Sequence, residues 1–267
     1  MNDRRPQHTR YPPSVLLLLL KLVLVPALVV SVTLGGRRWG PRVAGFLASF
    51  PIVAGPTLTF FAIEQGNLFA AEASRAALVA LAGVAASSLA YAWASLRTPW
   101  WISLTASWAS FVVITLALRD MRWTRLTALV VALVSAGIAR VLLPRARGAH
   151  APAVRSAWDL PLRTVSSVVV VLIVTGLAHR LGPTLSGAFT PFPVALGILL
   201  VFTHAQQGAS TTIRFLRGFL PGMWSFAVFC FVAALALVPL GSWLGLLVAL
   251  ASVIPIQAVV LWWLERH

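Results

Sequence analysis

Long uncharged apolar runs recur along the chain, and shorter polar stretches separate them. Many of these runs reach the roughly 20 residues with which a helix crosses the hydrocarbon core of a bilayer. The longest polar stretch covers Pro144–Arg163, and we expect it to be a loop. The pattern predicts nine membrane-spanning helices, near Ser14–Leu34, Val43–Ile63, Ser74–Leu96, Trp100–Leu118, Thr124–Leu143, Thr164–Ala178, Leu185–His204, Ile213–Val238 and Gly241–Leu264.

The composition excludes an ordinary soluble domain. Hydrophobic residues make up 59% of the chain and charged residues only 10%, against roughly 25% charged residues in a typical soluble domain. The 21 Lys and Arg residues outnumber the 6 Asp and Glu residues, but they lie between apolar spans, where basic residues anchor loops at the membrane surface. We therefore predict an all-α polytopic membrane protein that has the lipid bilayer as its partner, and we expect no binding of nucleic acid.

A shift of 142 residues, without gaps, aligns the two halves of the chain on their least common residue types. Matched Leu or Ala residues would be expected between any two apolar regions, whereas matched Gly, Pro, Arg, Trp and Gln residues indicate an internal duplication. The pairs are Thr33 with Thr175, Arg38 with Arg180, Gly40-Pro41 with Gly182-Pro183, Gly45 with Gly187, Phe50-Pro51 with Phe192-Pro193, Gly55 with Gly197, Phe60 with Phe202, Gln65-Gly66 with Gln207-Gly208, Arg75 with Arg217 and Trp101 with Trp243.

The repeat also predicts how the two halves are oriented. The fifth predicted span has no counterpart in the sequence, so a residue and its copy are separated by five spans. Because five is an odd number, the halves are expected to point in opposite directions across the membrane. The predicted organisation is a first four-helix repeat in residues 1–118, a linker helix with a basic loop in 119–163 and a second four-helix repeat in 164–267, all within one membrane domain.

Inverted repeats recur in secondary transporters, which place the substrate site near the membrane midplane where the two repeats meet. Two copies of one fold packed in opposite orientations have equivalent outward-facing and inward-facing arrangements, which suits alternating access. The same symmetry also serves some channels. The architecture therefore favours a transporter over a channel and identifies no substrate.

Five motifs of the second half form a recognisable set: Gly187, Phe192-Pro193, Gln206-Gln207-Gly208, Gly222-Met223-Trp224-Ser225 and the segment Trp262–His267. Together they resemble the GlpM family, whose members are small four-helix inner-membrane proteins of bacteria. The likeness covers about Thr164–His267 and extends through the repeat to Leu22–Leu118. The family's Glu-Arg-Gly sequence reads Glu64-Gln65-Gly66 in one half and Gln206-Gln207-Gly208 in the other.

The resemblance implies a location in the bacterial cytoplasmic membrane. GlpM-like proteins look like dual-topology proteins that pair antiparallel, so it implies a fused pair held antiparallel by an extra helix, and it allows a homodimer of such chains. The family is linked to exopolysaccharide (alginate) production, with no molecular activity attached. A non-transporting scaffold for envelope polysaccharide or lipid export or assembly is therefore the first alternative to a transporter, and an ion channel is the second.

The second predicted span of each half carries helix breakers in its middle. A proline removes one hydrogen bond from a helix and clashes with the preceding turn, so the freed carbonyl groups must be satisfied inside protein or in a water-lined cavity. The ends of broken helices present partial charges to a solute or ion. A packing kink is the alternative, but repetition in both halves favours a pathway lined by Phe50, Pro51, Gly55, Pro56, Phe192, Pro193 and Gly197.

Glu64 closes the second span beside Gln65 and is one of two acidic residues in the first repeat after residue 3. An ionisable group in or near a membrane is a candidate functional group, in this case for binding a proton or cation that is coupled to transport. An exposed cap at the helix end is the alternative. The copies of these positions are the neutral Gln206 and Gln207, so any proton coupling would be asymmetric.

Three basic or titratable residues complete the candidate pathway. Arg75 and Arg217 begin the third span of each half and could bind an anionic substrate group or pair with Glu64 or Glu72, although snorkelling to lipid phosphates explains them as well. His204 lies on the second broken helix, where a histidine could shuttle protons.

No catalytic or metal-binding motif is present in the sequence. It has no paired His/Glu metal motif, no G-x-S-x-G elbow and no phosphate-binding loop. Its single cysteine, Cys230, excludes a disulfide framework. We therefore predict no enzyme, no cofactor and no metal site, and we expect a small secondary transporter whose solute or ion is unidentified and for which proton coupling is an option.

Overall fold

A computed structural model describes residues 13–146, 158–180 and 193–266, which fold into helices with no strand among them. This confirms the predicted all-α fold class. The helices are α1 (Pro13–Trp39), α2 (Pro41–Ala48), α3 (Ala54–Gln65), α4 (Asn67–Ala94), α5 (Trp100–Leu118), α6 (Arg125–Leu142), α7 (Asp159–Arg180) and α8 (Val194–Arg266).

Several helix ends follow local signals in the sequence. Thr124 caps α6, because its hydroxyl accepts a hydrogen bond from the Thr127 N–H at 3.2 Å while the Thr127 hydroxyl accepts one from the Thr124 N–H at 2.9 Å. Gly66 separates α3 from α4 with a φ of 89°, which glycine adopts without a steric penalty. α4, α5 and α6 match the third, fourth and fifth predicted spans, although α4 begins at Asn67 instead of Ser74.

α8 changes direction at two glycines. Gly208 and Gly241 both have a φ of 78°, outside the helical region, and they divide α8 into three segments. We call these segments α8a (194–207), α8b (209–240) and α8c (242–266). The last two correspond to the eighth and ninth predicted spans. The seventh predicted span, from Leu185 to His204, begins outside the described residues and ends in α8a.

Two sequence predictions need correction. The second predicted span, Val43–Ile63, is two short helices, since α2 ends at Ala48 and α3 begins at Ala54. The stretch Pro144–Arg163 is not loop to its end, because α7 begins at Asp159. Asp159 lies in the first turn of α7, where a carboxylate interacts favourably with the helix dipole. A hydropathy pattern does not detect this helix start, because charged residues lower the local hydropathy.

Five of the described helices are long and apolar enough to cross a membrane: Leu18–Trp39 of α1, α4, α5, α6 and Val194–Trp262 of α8. They are compatible with an integral membrane protein. The stretch in α8 has 69 residues and includes both glycine bends, so it has length for more than one crossing at about 30 Å per crossing. α2 and α3, with 8 and 12 residues, are each too short to cross alone, and the count of nine spans stays a prediction.

α2 packs against α8b at very short range because glycines line the contact. A Cβ atom on Gly45 would overlap the carbonyl oxygen of Phe215, and a Cβ atom on Gly218 would overlap the carbonyl oxygen of Arg42. Small residues let helix backbones approach each other in this way. α2, which forms the first part of the broken second span, therefore packs directly against α8b in the second half of the chain.

Side-chain hydrogen bonds show that α4 and α6 run in the same direction. Near the start of α4, Arg75 Nη1 donates to the carbonyl oxygen of Trp123 at 2.9 Å, just before α6 begins. Near the end of α4, Trp93 Nε1 donates to the carbonyl oxygen of Leu142 at 3.1 Å, at the last residue of α6.

α8b runs in the opposite direction to α6. Near the start of α8b, Arg217 Nη2 donates to the carbonyl oxygen of Pro144 at 3.2 Å, just after α6 ends. Further along, Trp224 Nε1 donates to the carbonyl oxygen of Leu133 at 3.3 Å, in the middle of α6. Relative to α6, α4 and α8b are therefore oppositely directed.

Candidate functional site

The two predicted helix breaks line one cavity. Its volume is about 690 Å³, and its walls include Phe50, Val53 and Ala54 from the break between α2 and α3, and Pro193, Val194 and Ala195 from the start of α8a. Most of the other lining side chains are apolar, and the charged ones are Glu72, Arg75 and Arg119. We call it the apolar cavity. It brings Phe50, Pro193 and Arg75 of the predicted pathway together, while Phe192 lies outside the described residues.

Four other residues of the predicted pathway do not line this cavity. Pro51 is buried in the break after α2, where its missing N–H leaves no unpaired donor. Gly55 and Pro56 lie in the first turn of α3. Gly197 packs against α5, since a Cβ atom there would lie 3.2 Å from Trp108 Nε1. These residues shape the helices that carry the cavity wall.

A second cavity of about 260 Å³ lies between α1, α2, α7, α8a and α8b. Its polar wall includes Thr33, Arg37, Arg38, Thr203, Gln207 and Thr211, and Asp159 and Arg163 close one side. We call it the basic cavity. Of the residues predicted from the sequence as a pathway, it contains Gln207 alone.

A buried ion-pair network forms one wall of the basic cavity. Asp159 Oδ2 accepts a hydrogen bond from Arg37 Nη2 at 2.7 Å, and its Oδ1 accepts from Arg163 Nε at 2.8 Å and from Gln206 Nε2 at 2.7 Å. Arg163 Nη2 also donates to Gln206 Oε1 at 3.1 Å. The side chains of Asp159 and Arg163 are 2% and 4% exposed, so the centre of the network is buried, and through Arg37 and Gln206 it ties α1, α7 and α8a together.

The network keeps Asp159 ionised. Burial alone would raise the pKa of its carboxyl group, but the hydrogen bonds from Gln206, Arg163 and Arg37 outweigh burial and hold the pKa below its ordinary value. Asp159 lies five residues before the predicted span that begins at Thr164. With three donors already bound to it, this carboxylate serves as a counter-ion for the two arginines.

Two helices, α1 and α8a, contribute residues to both cavities, and on each helix the residues that line the basic cavity come after those that line the apolar cavity. On α1, Val25 and Leu28 line the apolar cavity, whereas Val32 and Thr33 line the basic cavity, and Val29 between them is 0% exposed. The same succession occurs along α8a.

On α8a, Val194 and Leu196 line the apolar cavity, and Leu199 and Thr203 line the basic cavity. Ile198 between them is buried. A thin layer of buried aliphatic side chains therefore separates the two cavities.

Glu64 and its copy Gln206 have different surroundings. Glu64 lies in the last turn of α3, where its Oε2 is buried and accepts no hydrogen bond from any residue that the structure describes. Gln65 beside it is exposed. Gln206 belongs to the Asp159 network. The asymmetry predicted from the sequence at these positions thus extends to their partners.

The two repeated arginines hold opposite ends of α6 through the hydrogen bonds of Arg75 to Trp123 and of Arg217 to Pro144. Arg75 also forms an ion pair with Glu72 at 2.6 Å, one of the two acidic partners considered from the sequence. Both guanidinium groups therefore make specific contacts within the protein.

His204 has a polar neighbour that lies far away in the sequence. Its Nδ1 is 3.5 Å from the hydroxyl oxygen of Tyr91 on α4, and the two rings meet edge to face with centroids 5.9 Å apart. Tyr91 is 0% exposed. This contact places His204 against α4, and the residue lines neither of the two cavities.

Sequence reasoning missed Arg37, Asp159 and Arg163. The signal was available, because Asp159 and Arg163 are four residues apart, which places them on one face of a helix. Assigning both to a loop removed that spacing from consideration. The pairing with Arg37, 122 positions away, could not be inferred without the packing of α1 on α7.

A search of protein-family models, curated proteins and solved structures found no match to the chain. The resemblance to the GlpM family therefore stays a prediction.

Proposed function

We propose that this protein is a small secondary transporter of the bacterial cytoplasmic membrane, with nine passes in two inverted four-helix repeats. The observation that carries the proposal is the succession of two cavities along α1 and α8a, with a thin buried layer between them. A solute pathway in an occluded conformation has this arrangement. The helix breaks on the wall of the apolar cavity are the second support, since irregular backbone at membrane depth needs a cavity or protein partners.

The opposite directions of α4 and α8b support the inverted arrangement. These helices carry the repeated Arg75 and Arg217, whose hydrogen bonds reach opposite ends of α6. In a parallel duplication, both arginines would reach the same end. The bends at Gly66 and Gly208, which are 142 residues apart, and the packing of α1 on α7 support two matched halves.

Within this proposal, Glu64 is the candidate coupling acid. Its buried Oε2 accepts no hydrogen bond from the described residues, and a carboxylate in that position is a group that a proton or cation could neutralise. Because Gln206, the equivalent residue of the second half, is neutral, coupling through Glu64 would occur at one face of the membrane only.

Cysteine labelling from one face of the membrane tests the topology. In a Cys230→Ala background, we place single cysteines at Arg97, Asp120, Arg145 and Leu240, all of which are exposed. We expect an impermeant thiol reagent outside intact cells to label either the Arg97 and Arg145 variants or the Asp120 and Leu240 variants. Labelling of Arg97 and Leu240 from the same face would contradict the inverted repeat, because these positions follow α4 and α8b.

Mutual protection of two cysteines tests transport without knowledge of the solute. Thr33→Cys lies in the basic cavity and Thr57→Cys in the apolar cavity. Intact cells are treated with a bulky impermeant maleimide, which reacts at whichever cavity faces outwards. We expect this adduct to slow labelling of the other cysteine by about tenfold, because a bias of about 1.4 kcal/mol toward one conformation suffices.

Each alternative class gives a different result in this experiment. A scaffold would leave the labelling rate of the second cysteine unchanged, and a channel would let the bulky reagent or a slightly smaller one reach both cysteines from one face. A matched control places the adduct at Arg97→Cys, which is exposed in the loop between α4 and α5. The control adduct must leave labelling at Thr57→Cys unchanged.

A further inference from the structure

We infer that the basic cavity binds a small oxyanion that carries a hydroxyl group, such as hydrogen phosphate or a hydroxycarboxylate. The inference rests on the proposed transport function and names the substrate class of the same pathway. At about 260 Å³, the cavity falls just below the roughly 300–1,000 Å³ of pockets for drug-sized ligands. This size fits a solute of a few non-hydrogen atoms.

The charge on the cavity wall favours an anion. Arg37, Arg38 and Arg163 contribute three positive charges, and Asp159 contributes one negative charge, which leaves two positive charges. Both oxygens of Asp159 already accept hydrogen bonds, so the carboxylate is not available to coordinate a cation. α2 also begins at this cavity with Pro41, and the start of a helix carries partial positive charge.

The cavity has unused donor capacity at a buried position. Arg37 gives its Nη2 to Asp159, but its buried Nε has no acceptor among the residues that the structure describes. A buried donor without an acceptor is costly, and an oxyanion in the cavity would supply one. Arg38, exposed at the cavity edge with its guanidinium 5.6 Å from the centroid of the Trp39 ring, provides a second charged donor.

The threonines on the wall favour an oxyanion that bears its own hydroxyl. Thr33, Thr203 and Thr211 each donate their hydroxyl hydrogen to the carbonyl group four residues earlier, at 2.7, 2.6 and 3.1 Å. Their oxygen lone pairs are therefore left to accept a hydrogen bond from a ligand. Sulfate has no hydroxyl at neutral pH, whereas inorganic phosphate has one as hydrogen phosphate and two as dihydrogen phosphate.

The duplication points to the same cavity independently. Among the residues that line it, Thr33, Arg38, Gly40-Pro41 and Gln207 are members of the pairs that the two halves share. Their copies include Thr175, Arg180 and Gly182-Pro183, whose side chains lie outside the described part. In alternating access, a solute meets two symmetry-related sites in turn. Such a pair of sites requires the same polar residues in both halves.

Equilibrium binding of radiolabelled inorganic phosphate tests the inference, with the whole protein in nanodiscs of phosphatidylcholine. We expect saturable binding that sulfate displaces at least tenfold less well than unlabelled phosphate. Arg38→Gln should weaken binding about tenfold, which is the loss of one charge-assisted hydrogen bond. Arg97→Gln, an exposed arginine outside the cavity with the same change in net charge, is the matched control.

Gln207→Glu places a negative charge on the cavity wall at a residue that makes none of the hydrogen bonds to Asp159, and it should abolish phosphate binding. Equal displacement by sulfate, or equal weakening by Arg97→Gln, would overturn the inference. Absence of phosphate binding in phosphatidylcholine, with binding of phosphatidic acid when that lipid is included, would identify a lipid headgroup site instead.

The two proposals fail separately. Mutual protection of the cysteines without phosphate binding would leave a transporter with another substrate class. Phosphate binding without mutual protection would leave an anion site in a protein that does not alternate access.

Discussion

Replacing Asp159 with asparagine is expected to lower the free energy of unfolding by about 3–5 kcal/mol, the cost of removing one partner from a buried ion pair. Arg163, with 4% of its side chain exposed, would keep its charge without a counter-ion, and Arg37, with 22% exposed, would lose the same partner. The network joins α1, α7 and α8a, so we expect its loss to loosen the contact between the two halves.

Cys230 provides the measurement, because it is the only cysteine in the sequence and is 0% exposed. A dye that becomes fluorescent on reaction with thiols would report its exposure during heating of the purified protein. Asp120→Asn is the matched control, since Asp120 is 81% exposed and pairs with Arg119 at the surface. This variant should have the same melting temperature as the wild type. If Asp159→Asn also has the melting temperature of the wild type, the network does not stabilise the fold.

A compensating variant separates charge from shape. Arg163→Gln combined with Asp159→Asn removes one charge of each sign and keeps a polar side chain at both positions. Because the cost of removing one partner comes from the uncompensated buried charge that remains, we expect the double variant to recover part of the stability that Asp159→Asn loses. Failure of any recovery would indicate that Arg37 depends on Asp159 as much as Arg163 does.

Acid provides an independent check of the same network. The pKa of Asp159 is held below its ordinary value in the folded protein, so the unfolded chain takes up a proton first as the pH falls. The stabilisation is therefore complete above the unfolded-state pKa of about 3.9 and is lost as the pH falls through the lower folded-state pKa. The stability difference between wild type and Asp159→Asn should shrink over that range.

The sequence predicted the helical architecture well where hydropathy and helix ends agree. α5 has the bounds predicted for the fourth span, and α6 differs from the fifth by one residue at each end. The predicted span starts at Thr124, which is the capping residue of α6, so pattern and capping mark the same boundary. α4 starts at Asn67, earlier than predicted, because the charged Glu72 lowers the hydropathy before Ser74; in the structure Glu72 pairs with Arg75 on the helix surface.

The candidate site was predicted only in part. Prolines and glycines indicated where the second span of the first half breaks, because their effect on the backbone is local. Partners brought together by tertiary packing, such as Arg37 with Asp159 and His204 with Tyr91, leave no local trace in the sequence. The alignment of the chain with itself did carry some of this information, since it pairs Arg75 with Arg217, and these two arginines contact opposite ends of α6.

The close contact of α2 with α8b gives the second large effect that we expect. Gly218→Ala would place a Cβ atom onto the carbonyl oxygen, carbonyl carbon and Cα of Arg42. These are backbone atoms, so no change of side-chain rotamer can relieve the overlap and α2 must move. Overpacking of this kind costs about 1–3 kcal/mol, which exceeds the gain of about 0.5–1 kcal/mol that alanine brings to a helix interior relative to glycine.

Gly137→Ala on α6 is the matched control, because a Cβ atom there would meet nothing within 4 Å. We expect this variant to melt at or above the temperature of the wild type in the same thiol-dye experiment, while Gly218→Ala melts lower. Since Ala44 of α2 and Phe215 of α8b both line the basic cavity, displacement of α2 should also change the labelling rate of Thr33→Cys. Gly218→Ala with unchanged melting and unchanged labelling would mean that α2 is not held against α8b, and the wall of the basic cavity would then need another explanation.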